Sequence, residues 1–142
     1  MLGLSSACAG LSVVAMAPAL AQLAGAFLLH ALGGLLASYV VHESAHAALL
    51  RRTTGIQVVE VITTFSRFTF APKGVLRGRN IAMIGGAGPI AAFGTGVALL
   101  VLVPALGLHW WYLGHLLFLL PVFGDGKSIL VGVRSWTRPV TL

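Results

Sequence analysis

The run His42-Glu43-Ser44-Ala45-His46 carries two imidazoles and a carboxylate inside an otherwise apolar stretch. On a helix, positions i and i+4 share a face, so both imidazoles can point at one cation. Glu43 follows the first of them, where its carboxylate can reach a water molecule beside that cation. Imidazole nitrogen suits zinc, and a zinc site that performs chemistry needs one more protein ligand and an open position. Two imidazoles and a carboxylate also suit iron or cobalt. The chain holds three acidic residues, Glu43, Glu60 and Asp125, so the choice of a further ligand is narrow. Asp125 is the candidate, with Lys127 as its competing partner. A carboxylate at bilayer depth is costly unless paired, which makes Glu43 and Asp125 functional candidates by default.

The elements that must position these residues are expected to cross a membrane. Of 142 residues, 58% are hydrophobic and 8% charged, with a mean hydropathy of +0.97. Soluble domains carry roughly 25% charged residues, so this chain lacks the polar surface that water requires. The 18 glycines suit closely packed spans. The length fits a single domain over residues 1–142. The net charge of +6 marks a cytoplasmic face against anionic lipid, because no basic patch is interleaved with exposed aromatics as nucleic-acid binding would need. A lone cysteine, Cys8, excludes an internal disulfide and reads as apolar filler.

The hydropathy pattern predicts an all-α membrane bundle of about four transmembrane helices with a short membrane-associated β-hairpin between the second and third. The apolar stretch over residues 2–50 exceeds one span and is divided near residues 22–25. This gives spans over residues 2–21 and 26–50. Residues 56–70 are β-branched and aromatic and read as two strands, with a turn near residues 64–67 and a break at Pro72-Lys73-Gly74. A third span covers residues 81–103, and Pro104 opens a short loop over residues 104–108. Trp110, Trp111 and Tyr112 form an interfacial belt. The fourth span covers residues 111–133, interrupted by Pro121 and Gly124-Asp125-Gly126. Arg51, Arg52, Arg67, Lys73, Arg77, Arg79, Arg134 and Arg138 then share one side, which the positive-inside rule makes cytoplasmic, together with both termini.

Depth arithmetic links the two parts of the expected site. His42 lies nine residues before Arg51, and Asp125 lies nine before Arg134. Both therefore sit roughly 13 Å inside the same boundary. His115 lies ten residues before Asp125, about 15 Å away along a straight helix, and is expected to be out of reach of the same ion. His30, twelve residues before His42, meets the same objection at about 18 Å. His109 is expected at the interface beside the Trp belt, and Glu60 is expected to pair with an arginine of its loop.

These features resemble the site-2 protease family of intramembrane zinc metalloproteases. The likeness rests on His42-Glu43-Ser44-Ala45-His46, on Gly86-Ala87-Gly88-Pro89, on Leu119-Leu120-Pro121 followed by Asp125-Gly126, and on the β-rich segment. It covers roughly residues 38–132, in the family's order. The resemblance implies one zinc ion bound by His42, His46 and Asp125, with Glu43 as the catalytic acid/base. It also implies peptide-bond cleavage in or near a transmembrane segment of another membrane protein, at a bacterial cytoplasmic membrane. Two positions depart from the pattern: Ala92 and Phe118 stand where members often carry Asn. The spacing from Pro121 to Asp125 is also one residue short of it. A zinc-binding membrane regulator without catalysis, and a small metal or proton transporter, remain as alternatives. The strands within residues 56–70 could hold an unwound substrate by strand addition.

Overall fold

The computed structural model describes residues 18–64 and 67–142. Cys8 and nearly all of the first expected span lie outside them, as do residues 65 and 66, on which the expected turn falls. Helix α1 runs from Pro18 to Arg52 without interruption. The division expected near residues 22–25 is therefore absent. Gln is a good helix former and an interior Gly costs only ~1 kcal/mol. Opening the backbone in an apolar environment costs more than that. Within α1, Leu29–Leu36 is π-helical and Ala37–Arg52 is regular α-helix.

After α1, Thr53 turns extended and Gly55 adopts a left-handed φ of 94°, which feeds the chain into β1. Strands β1 (Ile56–Thr64) and β2 (Arg67–Arg77) pair antiparallel, with Thr64 opposite Arg67. The strand runs through Pro72 rather than breaking there. Among the described residues the far edge of β2 is uncovered at Pro72, because pairing with β3 (Pro139–Thr141) and Leu142 runs from Arg77 only to Gly74. An unpaired edge tolerates a residue without an N–H. The expected hairpin is thus part of a sheet ordered β1-β2-β3. Glu60 pairs with Lys73, not with an arginine, because Lys73 lies diagonally across the ladder from it.

Helix α2 spans Gly78–Leu102 and α3 spans His109–Leu113, which tightens into a 3-10 turn over Gly114–Leu119. Helix α4 spans Gly124–Arg134. The His109–Leu119 and Gly124–Arg134 segments meet at 44° across a short break. Helices α1 and α2 are each long and apolar enough to cross a membrane, and the bent pair adds a third such element if it counts as one span. The described residues thus supply two or three candidate spans where four were expected in the whole chain.

Large apolar side chains face outward and the histidines face inward. Phe27 is 72% exposed and Leu102 is 75% exposed, while His42, His46, His109 and His115 are buried. A surface of this kind suits hydrocarbon and not water. Helices α2 and α4 approach closely: a Cβ on Gly132 would lie 2.6 Å from the Gly78 carbonyl oxygen and 2.7 Å from Ala82 Cβ. Beside this contact, the Gly78 and Arg79 amides donate to Arg138 and Trp136 carbonyls. The end of α1, the start of β1, the end of β2, the start of α2 and the chain after α4 therefore lie together, and Arg51, Arg52, Arg77, Arg79, Arg134 and Arg138 belong to these segments, while Lys127 lies near the other end of α4.

Candidate metal centre

His42 and His46 lie on the regular part of α1, one turn apart, with their rings 4.8 Å apart. Their Nε2 atoms approach to 3.1 Å. Asp125 enters from the first turn of α4, where a helix N-terminus favours a carboxylate. Its Oδ2 lies 3.0 Å from His42 Nε2 and its Oδ1 lies 3.4 Å from His46 Nε2. The competing partner is not chosen: Asp125 faces the two imidazoles, and Lys127 is exposed.

These distances fit zinc. Ligand atoms ~2.0–2.1 Å from one ion at tetrahedral angles stand roughly 3.3 Å apart. The three residues form a group that could hold a metal ion. The third wall of the group is backbone. A Cβ at Gly88 would collide with His46 Nε2 and would lie 2.7 Å from His42 Nε2. Gly85 plays the same part for α4, since its Cβ would lie 2.9 Å from the Asp125 carbonyl oxygen. The glycines before Pro89 therefore let α2 press against both ligand-bearing helices.

Each imidazole is held from behind. His46 Nδ1 lies 2.8 Å from the Ile84 carbonyl, which can only accept, so His46 donates there and leaves Nε2 as a lone pair. His42 Nδ1 lies 2.9 Å from Nδ1 of His115. The straight-helix estimate for His115 is thus corrected: the break between α3 and α4 folds its ring back against His42. His115 stands behind a ligand and not among the ligands. Phe118 packs edge-on against His42, with centroids 5.3 Å apart.

Glu43 is half-buried and lines a cavity of about 1050 Å³ beside His42, His46 and Asp125. Tyr39 and Phe123 line the same cavity, and so do Thr63 and Phe70 from the hairpin. It therefore joins the metal group to the sheet. The remaining histidines lie elsewhere. His30 accepts from Trp111 Nε1 at 3.0 Å. His109 is buried in the first turn of α3, its ring 4.9 Å from that of Trp110, and α3 begins earlier than the expected span.

Sequence reasoning missed three contributors: His115, the Ile84 carbonyl and Gly88. Only Gly88 left a sequence signal, in the glycine run before Pro89. Comparison with protein-family models, curated proteins and solved structures gives no match.

Proposed function

We propose that the chain is an intramembrane zinc metalloprotease of the site-2 protease type. It would cleave peptide bonds in or near transmembrane segments of membrane proteins. The observation that carries this reading is the convergence of His42, His46 and Asp125 beside Glu43 in a cavity that reaches the hairpin. The motif resemblance, which draws on the same residues together with Gly86-Ala87-Gly88-Pro89, supports the same reading. Arg51, Arg52, Arg77, Arg79, Arg134 and Arg138, in segments that lie together, support a cytoplasmic placement of those segments.

A zinc ion held by these ligands supplies Lewis-acid polarisation of water and carbonyl oxygen. Glu43 accepts a proton from the attacking water as its oxygen bonds to the scissile carbonyl carbon. Glu43 then delivers that proton to the amide nitrogen as the C–N bond breaks, leaving a carboxylic acid and an amine. A helical substrate hides its carbonyls in hydrogen bonds and must unwind first. Among the described residues the outer edge of β1 carries no strand, so it can take an extended peptide by strand addition.

A second reading, a zinc-binding regulator without turnover, is favoured by one observation. Ala92 and Phe118 are apolar where the family often has Asn, and Phe118 packs on His42. Metal analysis of purified protein with His46→Ala, Asp125→Ala and Glu43→Gln variants separates the readings. The protease reading expects one zinc per chain, lost in the first two variants. It expects Glu43→Gln to keep zinc and to lose cleavage of a transmembrane reporter. Full zinc without any cleavage in the unmutated chain would favour the regulator.

A further inference from the structure

We propose that His115 is a positioning residue for the metal centre: it accepts the Nδ1 proton of His42 and so holds that ligand in its metal-binding tautomer and orientation. The proposal rests on the zinc reading of the site and not on proteolysis. The two Nδ1 atoms are 2.9 Å apart, and both residues are buried, at 4% and 3% exposure. Two neutral imidazoles that meet through the same kind of atom share one proton, so one ring donates and the other accepts.

The remaining geometry decides which. His42 Nε2 faces His46 Nε2 and the Asp125 carboxylate. A nitrogen that binds a cation there must present a lone pair, so the His42 proton sits on Nδ1. His115 Nδ1 is then the acceptor, and its own proton sits on Nε2. This ring does for His42 what the Ile84 carbonyl does for His46. It is itself clamped between aromatic rings, with Tyr39 and Phe118 each 5.1 Å away by centroid. The 3-10 turn over Gly114–Leu119 carries it, and the break before α4 lets it stand behind one ligand while Asp125 reaches the other side.

One consequence separates positioning from packing. Phenylalanine at position 115 fills the space and accepts nothing. Glutamine fills it less well but offers a carbonyl oxygen. The experiment measures zinc affinity by chelator competition on the full chain, for the unmutated protein, His115→Phe and His115→Gln. Loss of a partner behind a metal-bound imidazole typically weakens binding 10–100-fold. We expect that loss in His115→Phe and recovery of most of it in His115→Gln. Equal affinity of His115→Phe and the unmutated chain overturns the proposal. So does the reverse order, with glutamine weaker than phenylalanine.

Ring nitrogen NMR of the unmutated, zinc-loaded protein needs no variant. It should place the His42 proton on Nδ1 and leave Nδ1 of His115 bare. A proton on His115 Nδ1 overturns the proposal. A chain that binds no zinc at all removes the site and the proposal together, which is a different result from unchanged affinity in His115→Phe.

Discussion

The substitution Gly88→Ala tests the metal centre through a single methyl group. The new Cβ would stand 2.7 Å from His42 Nε2, about 0.7 Å inside the 3.4 Å at which ordinary contact begins, and closer still to His46 Nε2. The methyl is fixed to the α2 backbone and cannot rotate away. The rings cannot retreat easily either, since His46 is held by Ile84 and His42 by His115. Metal–ligand distances tolerate shifts of roughly ±0.2 Å. The required displacement is therefore several times what the ion allows. Losing a partner behind one ligand already costs ~10–100-fold in affinity. Moving two ligands at once should cost at least ~100-fold, or ~2.7 kcal/mol at ~1.36 kcal/mol per decade.

The metal-free fold should fare differently. Alanine favours a helix over glycine by ~1 kcal/mol, and overpacking costs ~1–3 kcal/mol. These oppose each other, so the thermal midpoint of zinc-free protein should move little. Gly94→Ala is the control on the same helix, because nothing lies within 4 Å of its Cβ position. Chelator competition reads the affinity, and thermal unfolding in detergent with and without zinc reads the rest. Zinc affinity in Gly88→Ala equal to that of Gly94→Ala would refute the arrangement of His42, His46 and Gly88 described above.

Two further predictions follow from the packing and the sheet. Gly132→Ala should lower stability by up to ~2 kcal/mol, the ~1–3 kcal/mol of overpacking less the ~1 kcal/mol that alanine gains in a helix, because its Cβ would meet the Gly78 backbone at 2.6 Å and backbone cannot move aside; Gly25→Ala, with nothing within 4 Å, should not, and detergent unfolding compares them. Along β1, adjacent residues direct their N–H groups to opposite edges. Proline at Val61 and at Ile62 should therefore include one variant that keeps the hairpin and blocks only the free edge. That variant should bind zinc normally and cleave a transmembrane reporter poorly, and normal cleavage by both variants would exclude strand addition.

What was legible in the sequence depended on regular geometry. The i, i+4 spacing of His42 and His46 needed only a helix, and α1 is regular there. The meeting of His42 and Asp125 was reached by counting from each residue to its own arginine, along segments that are helical. The residues around Ile56 to Phe70 are strands because β-branched side chains declare them locally. Where the chain departs from regular geometry, legibility ends. Strand β3 is three residues long and exists only because β2 offers an edge. The continuity of α1 across residues 22–25 overrides local punctuation, as is expected of a helix apolar enough to lie where backbone groups must pair. Lys73 finds Glu60 through a register that no local spacing announces.

His115 shows why a broken span hides its neighbours. Counting ten residues at 1.5 Å each assumes that the chain from His115 to Asp125 advances in one direction. It does not, because a 3-10 turn ends at Leu119, the chain is extended at Leu120 and Phe123, and α4 starts on a new axis. The two residues therefore sit on opposite sides of the His42 ring: Asp125 at Nε2 and His115 at Nδ1. An unbroken helix could not place both there. The interruption around Pro121 and Gly124 is what brings a ligand and its supporting partner to one imidazole from a single stretch of chain. A chain with Pro121→Ala that straightens this segment should therefore separate the two, and the length of the break matters as much as the identity of the residues it carries.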